Sequence, residues 1–246
     1  MPNDNMNPAE TPSPLPPPTE RRRNDFQFEP LPEQSTPLEL LGALLKHPGQ
    51  IIHELHGERR RTLGLWLLLF ALIGMALYGL VVGSLTGGTQ LWIAPVKLAL
   101  GTLLSVLICL PSLYIFSCLG GNDVPLRTIA GALGAAVCLS SLLLIGFAPV
   151  AWIFSQSTDS TVFMGVLHLC FWLVGLLFGL RLIGATSRFH SEQRRAPLKL
   201  WSFIFLFVCL QMTTTLRPII GHSDQFLPRE KKFFLAHWFD SLGGKG

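Results

Sequence analysis

The sequence predicts an all-α, polytopic membrane helix bundle: five transmembrane helices with flanking interfacial amphipathic helices. Three observations carry that expectation. Of 246 residues, 49% are hydrophobic and only 14% are charged, whereas a soluble domain carries about 25% charged residues. The apolar residues gather into runs of membrane-crossing length, separated by short polar stretches. Finally, Arg59, Arg60 and Arg61 stand immediately before the first run, and such basic flanks collect on the cytoplasmic side.

The chain divides into four segments. Residues 1–36 are dominated by Pro, Asn, Glu, Ser and Thr, with Leu15-Pro16-Pro17-Pro18 at their centre. Such a segment buries too little apolar surface to offset its ordering entropy, so a disordered Pro-rich tail is expected. Arg21-Arg22-Arg23 would touch anionic lipid at about 1 kcal/mol per charge close to the surface.

Residues 37–61 form the second segment. Leu38, Leu41, Leu44 and Leu45 recur at helical spacing, Pro48-Gly49 interrupts them, and Ile51, Ile52 and Leu55 resume the pattern. Two short amphipathic helices in the cytoplasmic interface are predicted. His53 and His56 share a face, but two histidines without further ligands read as polar surface rather than a metal site.

Residues 62–218 hold the five expected spans. The first, 63–85, contains no charged residue; at 1.5 Å per residue it covers about 35 Å, enough for a hydrocarbon core of about 30 Å. It begins too far along for an ordinary signal peptide and reads as an uncleaved span. The second is 95–119. Pro95 suits a first helical turn, Trp92 suits the interface belt, and Lys97 at the start of the span snorkels and anchors it. Pro111 falls mid-span and removes one backbone hydrogen bond, so a kink is expected there, its freed carbonyl met by a neighbour, water or Ser112.

Gly120-Gly121-Asn122-Asp123 marks a turn before the third span, 128–154. Gly131, Ala132, Gly134, Ala135 and Ala136 make its first half rich in small residues, which permits close helix contact, and Pro149 should loosen its far end. A polar loop, 155–160, lacks Lys and Arg. The fourth span, 162–182, carries Gly175 and Gly179, a GxxxG pair able to seat another helix, and Arg181, which reaches for headgroups. After Arg188, Arg194, Arg195 and Lys199 comes a shorter fifth span, 200–216, ended by Arg217-Pro218. In the last segment, 219–246, the apolar residues of 230–242 fall largely on one face and predict another interfacial helix.

Loop charges set the threading. With the N-terminus inside, the cytoplasmic side receives Arg59 to Arg61, Arg127, Arg181, Arg188, Arg194, Arg195 and Lys199, while the opposite loops receive only Lys97. Arg217, Arg229, Lys231 and Lys232 in the C-terminal tail pull the other way. The loop contrast favours an inside N-terminus.

Chemistry is sparse. His168 is the only ionisable residue well inside a span; it would relay protons, pair with a polar group on another helix, or simply sit near the headgroups. Gln211 offers an interhelical hydrogen bond of about 0.6 kcal/mol. The five cysteines lie in or beside apolar runs without CxxC or Cys/His spacing, and read as small apolar packing residues. No HExxH, GxSxG or phosphate-loop motif occurs, and no span contains an Asp, which removes metalloprotease, serine-hydrolase, nucleotide-binding and aspartyl intramembrane-protease readings. No metal or cofactor is expected, and no basic patch with interleaved aromatics calls for nucleic acid.

The segment Leu41 to Leu55, with Lys46-His47-Pro48, followed by five apolar runs, resembles the Yip1-type membrane proteins and their bacterial relatives. Leu91-Trp92-Ile93-Ala94-Pro95 is faintly similar to that family's Asp-Leu-Tyr-Gly-Pro signature, lacking its acid and its glycine. The resemblance implies a non-enzymatic scaffold, linked in eukaryotes to vesicle traffic and in bacteria to the inner membrane. The expected partners are therefore the lipid bilayer and a membrane protein or a second copy of the chain. The alternative expectation is a small transporter or channel subunit with a polar cavity near Pro111 and His168, lined by Ser105, Ser112, Ser140 or Ser141.

Overall fold

The computed structural model describes residues 31–32, 36–57, 60–84, 88, 90–121, 124–158, 161–186 and 195–215. The expected Pro-rich tail, apart from its last few residues, and the expected C-terminal interfacial helix lie outside them. Every regular element among the described residues is a helix: α1 (Pro37–Lys46), α2 (Pro48–His56), α3 (Arg60–Ser84), α4 (Gln90–Leu119), α5 (Leu126–Ser157), α6 (Thr161–Thr186) and α7 (Arg195–Thr215).

Four of these, over Thr62–Ser84, Leu91–Leu119, Leu126–Ser157 and Phe163–Thr186, are long and apolar enough to cross a membrane. The described apolar stretch of α7, Pro197–Val208, covers about 18 Å, short of a hydrocarbon core of about 30 Å. The boundaries differ from the sequence reading in an instructive way. α4 begins at Gln90, so Pro95 lies inside the helix and not in its first turn, and Pro111 is likewise carried within a continuous helix. Neighbouring helices can re-satisfy the backbone groups such prolines free. α5 runs on to Ser157 and absorbs the first half of the expected polar loop.

The faces of α3 show what surrounds the bundle. Leu67, Ala71, Met75, Tyr78 and Val82 are buried, while Leu65, Leu69, Ile73 and Leu77 on the opposite stripe are exposed. Both stripes are apolar. A helix packed in water would turn a polar face outward, so the medium matching this one is hydrocarbon. α4 repeats the pattern with Val96, Leu100, Leu103 and Leu107 exposed.

α5 is the axis of the bundle, buried almost all round from Ile129 to Ser141. It packs most extensively on α3 and α6, and α4 packs on α3 and α7. Small residues set the spacing. A Cβ on Gly64 would stand 3.3 Å from the Gly131 Cα, one on Gly74 2.8 Å from Ser141 Oγ, and one on Gly79 2.5 Å from the Pro95 Cα. The first two contacts make α3 parallel to α5, and the short connection between Ser84 and Gln90, with Gly79 against Pro95, returns α4 antiparallel to α3. Gly121, at φ +83°, makes the turn after α4, a conformation that costs a residue with a Cβ.

Two short helices, α1 and α2, occupy the segment for which the sequence predicts interfacial helices. Thr36 Oγ1 accepts from the Glu39 backbone N–H and Glu39 Oε2 accepts from that of Thr36, a capping box followed by Pro37 at the first helical position. The pair does more than skim a surface, however. Leu44, Ile51, Ile52 and Leu55 are fully buried, and α2 docks on α3, α5 and α6. A Cβ on Gly131 would meet Leu55 Cδ2 at 2.5 Å, so a glycine in α5 makes the seat for that leucine.

Candidate functional site

The polar residues inside the bundle fall into two groups. In the first, Tyr78 of α3 and His168 of α6 share a hydrogen bond of 2.6 Å between Tyr78 Oη and His168 Nδ1. Their rings meet edge-on at 5.7 Å, and both residues are buried. With the phenol donating, the imidazole proton sits on Nε2, which is buried with no hydrogen-bond partner among the described residues. His168 is thus tied to another helix. Its partner could not be read from the sequence, where Tyr78 is one aromatic among many in an apolar run.

The second group surrounds a slot of about 80 Å³. Its walls follow α4 from Lys97 to Val106 and α6 from Trp172 to Ile183, with Met75, Ala136, Val137 and Ser140 behind and Phe205 of α7 beside them. α4 and α6 share no substantial contact, so the slot is the gap between them, floored by α3 and α5. At 1.5 Å per residue its α4 wall is about 14 Å long, close to half the hydrocarbon core of about 30 Å.

Lys97 closes one end of that wall and is fully buried. Its position ahead of the apolar run predicts a snorkelling lysine at the start of a span; the structure places it about two turns into α4, because the helix starts at Gln90. Lys97 follows Pro95, which abuts Gly79, itself adjacent to Tyr78. The lysine and the Tyr78–His168 pair therefore lie at about the same depth.

The other polar groups lining the slot are turned inward on the protein. Thr102 Oγ1 donates to Leu98 O at 2.8 Å and Ser105 Oγ to Gly101 O at 2.8 Å. Ser140 Oγ lies 2.9 Å from Ala136 O and 2.8 Å from Gly175 O. Their protons are committed to backbone carbonyls, so the walls behave as apolar surface, and Lys97 is the one cation among the lining residues.

The remaining expected residues sit apart from the slot or serve its walls. Gly175 and Gly179 seat α6 on α5: an added Cβ would stand 3.1 Å from Ser140 O and 2.8 Å from Ala136 O respectively. Pro111 does not line the slot. Next to it, Ser112 Oγ donates to Cys109 O at 2.8 Å and accepts from Trp201 Nε1 at 3.0 Å, tying α7 to α4. Arg181 is exposed on α6. Ser141, like Ser140, is buried, but its hydroxyl bonds Cys138 O and it is not part of the slot. The side chain of Gln211 lies outside the described set.

Comparison with known proteins leaves the chain to be read from its own residues: no family model, no curated protein and no solved structure matches it.

Proposed function

We propose that this chain is a multi-pass membrane protein that organises lipid or protein partners and catalyses no reaction. The observation that carries the reading is the character of the bundle interior. Helices are held together by small residues and backbone-directed hydroxyls, the described spans bury only Lys97 and His168 among their Lys, Arg, His, Asp and Glu residues, and the slot between α4 and α6 is walled largely by apolar surface. Proton-coupled carriers and aspartyl intramembrane proteases place carboxylates at membrane depth, and the four spans contain no Asp or Glu. The Yip1-type resemblance of the α1–α2 segment and the apolar runs points the same way, towards a scaffold, and in bacteria towards the inner membrane.

In this reading α7 completes a fifth crossing, continuing through residues beyond Val208. α1 and α2 lie at the cytoplasmic interface, and the N-terminus is inside, on the balance of Arg59 to Arg61, Arg127, Arg181, Arg188, Arg194, Arg195 and Lys199 against opposite loops that carry no Lys or Arg once Lys97 is placed within α4. A single cysteine introduced in the 155–160 loop should react with an impermeant maleimide from outside intact cells, and one beside Arg194 should be protected; the opposite pattern inverts the threading.

The second reading, a small transporter or channel subunit, draws on the membrane-depth slot containing Lys97. The two separate in proteoliposomes. A scaffold leaves ion and solute flux at the level of empty vesicles, whereas flux abolished by Lys97→Ala or His168→Ala would establish the transporter and overturn the scaffold.

A further inference from the structure

We infer that the slot between α4 and α6 is a binding site for an anionic membrane phospholipid, with one acyl tail lying along Leu98–Val106 and Trp172–Ile183 and the head group held by Lys97. The inference deepens the proposed function by naming the lipid that the bundle would organise, and it rests on that reading.

Three features converge on this occupant. The first is dimension: the α4 wall, about 14 Å long, is close in length to the depth of one leaflet of a bilayer whose core is about 30 Å thick. The second is chemistry. Thr102, Ser105 and Ser140 line the slot, yet each hydroxyl donates to a backbone carbonyl, so a hydrophilic solute would lose its hydration and gain few donors in return. A hydrocarbon tail loses nothing by entering and meets Leu98, Val106, Trp172, Leu176 and Ile183. The third is charge. Lys97, buried at one end of the wall, is the sole cation among the lining residues, and no lining residue is acidic. A buried ammonium is complementary to an anionic head group and indifferent or hostile to a cationic one. Access fits as well. α4 and α6 pack on α3 and α5 rather than on each other, and their exposed neighbours Leu103, Leu107, Leu177 and Phe178 are apolar, so the slot is approached through hydrocarbon and not through water.

The test uses the full-length chain reconstituted in phosphatidylcholine vesicles doped with a trace of phosphatidylglycerol bearing a diazirine in its acyl tail. The matching diazirine phosphatidylcholine and a diazirine fatty acid serve as comparison probes. After photolysis, cross-linked positions are mapped by peptide mass spectrometry. Expected is labelling of Trp172 and Leu176 that is about fivefold stronger from phosphatidylglycerol than from phosphatidylcholine. Labelling of outward residues such as Leu177 should not distinguish the probes. Lys97→Met should bring the two phospholipids level at the slot, and Lys97→Arg should keep the preference. Thr102→Phe, which leaves the lysine in place and fills the wall, should lower slot labelling by both phospholipids while Leu177 labels as before.

Equal labelling of the slot by both phospholipids in the wild-type protein would overturn the proposal. So would a preference that survives Lys97→Met, slot labelling unchanged by Thr102→Phe, or the fatty acid labelling the slot where phosphatidylglycerol does not. Any of these leaves the scaffold reading intact, since that reading falls only on vectorial flux or on catalysis.

Discussion

Ser140 shows how a single polar side chain can hold a membrane bundle together. Its hydroxyl bridges Ala136 O on its own helix and Gly175 O on α6, while Gly179, one turn further along, lies so close to Ala136 O that an added Cβ would come within 2.8 Å. Ser140→Ala removes only the hydroxyl and should cost about 0.6 kcal/mol, the average for an interhelical hydrogen bond in a membrane protein. Gly179→Leu forces α6 away from a backbone atom that cannot yield, and should cost about 1–3 kcal/mol. Reversible unfolding in mixed micelles measures both, and an inverted order would refute the close α5–α6 seat. The GxxxG spacing of Gly175 and Gly179 was legible in the sequence because small residues four apart must share a face. The Tyr78–His168 bond was not, because which turn of α3 looks towards α6 is settled by packing against α5. The burial of Lys97 is hidden in the sequence for a different reason. Pro95 has the profile of a helix start, yet the helix begins at Gln90, more than a turn before it.

At the scale of elements, the short helices α1 and α2 were readable from the Leu and Ile spacing and the break at Pro48, but their depth of burial was not. Amphipathic spacing identifies an apolar face and leaves open whether lipid or protein covers it. Here Leu44, Ile51, Ile52 and Leu55 are covered by the bundle, and Leu31 N donates to Glu54 Oε1 at 3.2 Å, drawing the preceding chain onto α2. Leu55→Ala should therefore cost about 2–5 kcal/mol of docking energy, the range for truncating a buried leucine. It should appear as faster hydrogen exchange across α1 and α2, with α3 and α5 little changed. Unaltered exchange would place this helix pair on lipid instead. The serines illustrate the complementary failure. Four hydroxyls near mid-span suggest a polar cavity by composition, yet those of Ser105, Ser112, Ser140 and Ser141 all turn back on backbone carbonyls, and only Ser105 and Ser140 reach the slot at all.

For the whole molecule, the lesson lies in α3. Its buried and exposed stripes are equally apolar, and this is why the apolar runs could be located from composition while the inward face of each could not. A water-soluble bundle marks its outer face with charge; a bundle in lipid has no such contrast, and only small residues betray the contact side. A membrane bundle requires the exposed Leu, Ile and Val residues of α3, α4 and α6 to be bathed in hydrocarbon. Nitroxide labels placed singly at Leu69, Leu107 and Leu177 in the reconstituted protein test this directly through their collision rates with oxygen, which concentrates in lipid, and with a water-soluble nickel chelate. All three positions should collide far more with oxygen than with nickel; dominant nickel collisions would place these faces in water and contradict the membrane bundle.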